Sequence, residues 1–110
     1  MDRHSTVVVI PAFNEELTIS KVVLGCLKYA SVIVVDDHSE DKTYDEAKKT
    51  GAVIIRNSCN LGYDKTLLRG FDEALKLKFK NLVTMDGDDQ HDIKNLPLFL
   101  KELSSGKPLD

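Results

Sequence analysis

Four short apolar runs, rich in β-branched residues, alternate along this chain with four stretches whose apolar residues recur at helical spacing. Thr6 to Ile10 reads as a buried strand stopped by Pro11, and Ser31 to Val35, Ala52 to Ile55 and Leu82 to Met85 read as three more. Between the first two, Ile19, Val22, Val23, Cys26, Leu27 and Ala30 mark one face of a helix from Glu16 to Ala30. Lys42 to Thr50 predicts a short helix with Asp41 as N-cap and Gly51 as C-terminal stop. Leu67, Leu68, Phe71, Ala74 and Leu75 predict a third helix from about Asp64 to Lys78, and Leu96, Phe99, Leu100 and Leu103 a fourth. Strands apolar throughout and separated by amphipathic helices imply an α/β fold with a mostly parallel sheet covered on both faces. Right-handed crossovers then favour a doubly wound sheet of order 3-2-1-4, whose winding reverses between strands 1 and 4.

Ligands of such sheets bind outside the carboxyl ends of the strands at that reversal. The loop after strand 1 is Pro11-Ala12-Phe13-Asn14-Glu15-Glu16, and strand 4 empties into Asp86-Gly87-Asp88-Asp89-Gln90-His91-Asp92. Four aspartates within seven residues repel one another unless a cation sits among them. Asp86 and Asp88, two apart on an extended segment, can point the same way and share a hard divalent ion. After strand 2 comes Asp36-Asp37-His38-Ser39-Glu40-Asp41. Here Ser39 and Asp41 are expected to cap the next helix, whereas Asp37 lies too early to cap and is free to accept hydrogen bonds from a ligand. After strand 3, Asn57 to Lys65 precedes a helix and offers backbone N–H groups to an anion; an ordinary turn is the equally simple reading.

Composition narrows the partners. The 110 residues form one domain, 42% hydrophobic and 30% charged, as in a globular protein. A net charge of −3 argues against nucleic acid, which requires clustered Lys and Arg. Cys26 falls on an apolar helix face, and Cys26 and Cys59 lack metal-ligand spacing, so a reducing, cytoplasmic compartment is expected. No apolar stretch approaches the roughly 20 residues of a membrane helix.

The segments V-V-I-P-A-F-N-E-E, V-V-D-D-H-S-E-D-K-T, N-L-G-Y-D-K-T-L-L-R-G-F-D-E-A and V-T-M-D-G-D-D-Q-H-D stand in an order and spacing that resemble the inverting family 2 glycosyltransferases of GT-A fold. Within them the similarity is greatest to the dolichyl- and polyprenyl-phosphate sugar transferases. It runs from about Val7 to Leu103 and implies a metal-dependent transferase with a nucleotide-diphosphate sugar donor, GDP- or UDP-linked, and a lipid-phosphate acceptor met at the membrane surface. The resemblance assigns Pro11, Phe13 and Glu15 to the first nucleotide loop, with Phe13 against the base. It assigns Val35 and Asp37 to base and ribose, and counts Asp86, with Gly87 between it and Asp88, among the nucleotide-binding residues. Asp86, Asp88 and Gln90 become ligands of Mg²⁺ or Mn²⁺. His91 is given a supporting role in the metal loop; Asp92 replaces the proline common in the lipid-linked subgroup.

The acceptor-side residues and general base of that family follow the segment seen here, so residues 1–110 are expected to be its nucleotide-binding half, with no catalytic base of its own. Its open strand-4 edge is expected to invite homo-oligomers. Other readings are a nucleotide- and metal-binding module without transfer, and a sugar-1-phosphate nucleotidyltransferase. The latter wants a glycine-rich loop after strand 1, where Pro11 to Glu16 has none.

Overall fold

The computed structural model describes residues 5–87. Asp88, Gln90, His91 and the fourth helical stretch lie outside the described residues. Within them run β1 (Thr6–Ala12), α1 (Ile19–Leu27), β2 (Ser31–Asp36), α2 (Thr43–Lys48), β3 (Val53–Arg56), α3 (Tyr63–Lys76) and β4 (Asn81–Thr84). The strands form one sheet of order β3-β2-β1-β4, every pairing parallel, as the alternation of elements predicts.

The sheet divides the core in two. On one face Val8, Ile10 and Ala12 of β1 and Val32 and Val34 of β2 pack with Ile19, Val22, Val23 and Cys26 of α1 and Ala47 of α2. On the other, Val7, Val9, Ile33 and Val35 pack under Ala74 of α3, with Leu67 and Phe71 alongside. Alternate residues of a strand serve opposite faces, and in β1 and β2 both sets are apolar. Cys26 is buried with its Sγ 3.4 Å from Met85 Sδ, and burial pushes the thiol up to about 11, as expected of a core cysteine.

Several boundaries differ from the sequence expectation by one to three residues, α1 ending at Leu27 rather than Ala30 among them, and two have a plain cause. β1 continues through Pro11, which pairs in register with Val35. Val9 turns its carbonyl towards β4, accepting from Met85 N–H at 3.1 Å, and Ala12 turns its own towards β2, accepting from Asp37 N–H at 2.8 Å. Pro11, in phase with Val9, therefore points its missing N–H to the side where pairing with β4 has ended at Val9–Thr84. α1 begins at Ile19 rather than Glu16, because Glu15 O accepts from both Thr18 N–H and Ile19 N–H and closes a separate turn first. The glycine stop holds: Gly51 has φ +89°.

α3 lies close to the sheet. A Cβ built on Gly70 would stand 2.3 Å from Val9 Cγ1 and 3.2 Å from Val35 Cγ2, so this turn of the helix rests directly on the central strands.

Candidate active site

The carboxyl ends of the strands open into a cleft of about 500 Å³, lined among others by Pro11, Phe13, Glu15, Asp37, Asp86 and Gly87. Six residues singled out from three separate stretches of sequence thus share one concavity. Val35 does not join them. Its side chain is fully buried beneath α3; Asp37, just past the end of β2, reaches the cleft instead. Asp88 and Gln90 fall outside the described residues.

The first two loops are stitched together. Asn14, in a left-handed conformation at φ +53°, donates its N–H to Ser39 Oγ at 2.9 Å and accepts from Glu40 N–H at 2.9 Å. Glu15 N–H reaches Thr43 Oγ1 at 2.7 Å. Ser39 donates to Asp36, which is fully buried and faces Arg56 at 3.5 Å. Ser39 is therefore a loop-to-loop tie rather than the helix cap expected of it. Asp41 does act as a cap, accepting Thr43 N–H at 2.9 Å from one residue before the Lys42 cap position. These bonds hold the turn that presents Phe13, 44% exposed at the cleft.

Asp37 is the largest departure from expectation. Far from being too early to cap anything, it caps a segment two dozen residues away. Oδ1 accepts from Leu61 N–H at 2.7 Å and Asn57 Nδ2 at 2.9 Å, and Oδ2 accepts from Gly62 N–H at 3.0 Å. Two N–H groups that the loop before α3 offered to an anion are thereby turned onto the protein's own carboxylate. Gly62 at φ +91°, ψ 167° occupies a region open essentially to glycine alone.

By folding this loop back over the end of β2, Asp37 brings Asn60, Gly62, Tyr63 and Thr66 to the cleft, residues the sequence did not single out. Their signal is that they follow a strand exit, open a helix and fall in the third of the quoted segments, to which no individual role is assigned. Burial pushes the Asp37 carboxyl up, but the donors on Leu61, Asn57 and Gly62 outweigh it and hold it below the ordinary value.

A carboxyl lowered in the folded state contributes stability that is full above its unfolded pKa, about 3.9 for aspartate, and is lost as pH falls through the lowered folded value. Asp37→Asn is therefore expected to cost about 1–3 kcal/mol at pH 7, the scale of leaving buried donors poorly paired. The deficit should shrink as both proteins are acidified below pH ~4. Urea melts at neutral and acid pH measure it; a deficit constant across pH would show that Asp37 is not the anionic anchor of this loop.

At the opposite wall, Thr18 Oγ1 donates to Gly87 O at 2.7 Å and ties the acidic loop to the start of α1. A Cβ on Gly87 would meet Ile19 Cδ1 at 3.0 Å, so glycine lets the loop lie flat there and leaves Asp86 beside the cleft. Tyr63, 56% exposed, faces the same space; burial, then the charges of Asp86 and Asp64, raise its phenol above the ordinary range. The cleft therefore carries two aromatic side chains that the core does not claim and a local negative field. Such a place suits a flat ring at one end and a hard cation with an anionic ligand at the other.

Comparison with known proteins gives the family and the fold. The chain is 38% identical over 103 residues to an uncharacterized protein of Methanocaldococcus jannaschii, spanning 92% of this chain and 42% of that one. It is 30% identical over 112 residues to the dolichol-phosphate mannosyltransferase of Pyrococcus furiosus, spanning 93% and 31%. The chain thus spans less than half the length of these curated relatives. Among solved structures, glucosyl-3-phosphoglycerate synthase from Mycobacterium tuberculosis, in complex with Mn²⁺, UDP-glucose and phosphoglyceric acid, superposes with a TM-score of 0.72 over 94% of this chain and 40% of that one. At 24% identity it shares the fold. The Glycosyl transferase family 2 model matches residues 7–108, and the chain belongs to that family.

Proposed function

We propose that this chain forms the donor-nucleotide side of a metal-dependent sugar transferase. The observation that carries the proposal is the meeting, in one cleft, of an exposed aromatic after β1, a loop pinned by Asp37 after β2, and the acidic exit of β4. Phe13 supplies an apolar face for the base. Asn57, Leu61 and Gly62 hold the Asp37 carboxylate at the border of the cleft, where it would face a ribose hydroxyl or base N–H.

Asp86 provides hard oxygen at the far wall, and Asp88 and Gln90 would complete the ligand set with it. This donor chemistry fits Mg²⁺ or Mn²⁺ rather than a softer metal. When bound, such an ion supplies Lewis-acid neutralisation of a departing diphosphate. The chain's own residues then bind and orient: Pro11 and Phe13 fix the base end, Glu15 and Asp37 the middle, and the Thr18–Gly87 tie holds the acidic loop at the diphosphate end.

The acceptor proposed is a polyprenyl or dolichyl phosphate, supported by the name of the Pyrococcus relative and by the four motifs quoted above. Among the described residues no helix is long and apolar enough to cross a membrane.

Calorimetric titration of UDP and of GDP, in Mn²⁺ and again in EDTA, tests the reading. Binding of one nucleoside diphosphate that weakens at least tenfold without metal is expected, because two anionic groups need a bridging cation. Equal affinity in both conditions would remove the metal from the proposal, and no binding of either nucleotide would remove the nucleotide.

A further inference from the structure

We infer that Arg69, a surface residue of α3, is a positioning residue of the nucleotide cleft, acting through Asn57 on Asp37. The inference rests on the nucleotide-binding role proposed for the cleft and goes beyond it, since Arg69 does not line the cleft.

The connection is a polar chain through a buried amide. Arg69 Nη1 donates to Asn57 Oδ1 at 2.9 Å. Asn57, 1% exposed, then donates from Nδ2 to Asp37 Oδ1 at 2.9 Å and to Thr66 Oγ1 at 3.0 Å. Thr66 Oγ1 in turn donates a hydrogen bond to Gly62 O at 2.7 Å. Asp37, Gly62 and Thr66 all border the cleft.

Guanidinium can only donate and carboxylate can only accept. An amide is the side chain that accepts from one while donating to the other. Its orientation is forced: turned over, Asn57 would set its oxygen against Asp37 and its NH₂ against Arg69. Arg69 therefore selects which way the amide faces, and its charge polarises the N–H that reaches Asp37, since linked hydrogen bonds strengthen one another in a low dielectric. Asp37 in turn fixes the N–H groups of Leu61 and Gly62 and hence where Tyr63 and Thr66 stand. Without Arg69 the buried Asn57 oxygen loses its donor, the amide is freed to rotate, and the carboxylate that borders the nucleotide loses a fixed neighbour.

The test compares Arg69→Met, which keeps the apolar stem and removes every donor, with Arg69→Lys, which restores one charged donor. Each is made in the full chain and in an Asp37→Asn background. Affinity for UDP and GDP in Mn²⁺ is read by calorimetry, with thermal melts alongside. Arg69→Met is expected to weaken nucleotide binding about tenfold, the scale of one charge-assisted hydrogen bond. Arg69→Lys should recover most of that loss. In the Asp37→Asn background Arg69→Met should add little further, because the two act through one linkage.

Wild-type affinity in Arg69→Met overturns the inference. So does a full tenfold loss persisting in the Asp37→Asn background, which would make Arg69 an independent electrostatic contact. Failure of the unsubstituted protein to bind either nucleotide overturns the parent reading and this one together, an outcome distinct from wild-type binding with an indifferent Arg69.

Discussion

Asp86→Asn is expected to lower affinity for a nucleoside diphosphate in Mn²⁺ by more than tenfold while leaving the metal-free fold as stable as before or slightly more so. Asp86 stands where β4 ends, beside Tyr63 and Gly87 in the cleft, and begins the run of four aspartates. Carboxylates this near one another in sequence repel when no cation lies among them, so losing one charge is not expected to weaken the apo protein. The same charge is a hard ligand once a divalent ion bridges protein and diphosphate. Even residues that only support a ligand cost 10–100-fold in metal affinity when changed, so a direct ligand should cost at least the lower figure. The contrast between the two states separates this role from a structural one. Calorimetry in Mn²⁺ and melts in EDTA measure it. A variant strongly destabilised in EDTA would make Asp86 part of the fold's own hydrogen bonding and remove it from the metal site.

Much of the architecture was legible because parallel strands covered on both faces leave a plain signature. Val7 to Ile10 and Val32 to Val35 are continuous apolar runs, and only a central strand of a two-sided sheet can bury every residue of such a run. That same continuity hid which face each residue takes. The resemblance assigns Val35 to base and ribose, yet its side chain falls on the α3 face and packs against the core.

Phe13, Glu15 and Asp86 were findable because a doubly wound sheet puts the exits of strands 1 and 4 side by side. Tyr63 and Thr66 were not, since β3 lies two strands from β1. They reach the cleft only because bonds spanning 24 and 25 residues draw the loop back to Asp37. Local pattern reports what a segment prefers. It does not report which distant carboxylate will claim that segment's N–H groups. Ser39 shows the same limit: its spacing suits a cap, but the buried Asp36 and the incoming Asn14 N–H take its hydroxyl first.

Gly70→Ala should destabilise the protein by about 2 kcal/mol, even though alanine is the better helix former by about 1 kcal/mol. The new methyl would stand 2.3 Å from Val9 Cγ1, more than an ångström inside the roughly 3.5–4.0 Å of carbon–carbon contact. Val9 sits on the central strand with no exposed surface, paired on both sides through β1's partners, so it has nowhere to swing. Overpacking of this kind costs about 1–3 kcal/mol, and the upper part of that range outweighs the propensity gain. Each kcal/mol moves the midpoint of a domain this size by about 4–8 °C, so a fall of about 10 °C is expected. Val9→Ala removes the methyl that is struck. The pair should therefore be much less damaging than the sum of the single changes, the non-additivity of residues in contact. The consequence reaches the cleft as well, because α3 opens with Tyr63 and carries Thr66 one turn in. Lifting the helix off β1 at Gly70 should shift both and weaken nucleotide binding in Gly70→Ala, and Val9→Ala should restore it. A Gly70→Ala protein that melts at or above the wild-type temperature would mean that α3 does not rest on β1 at this turn.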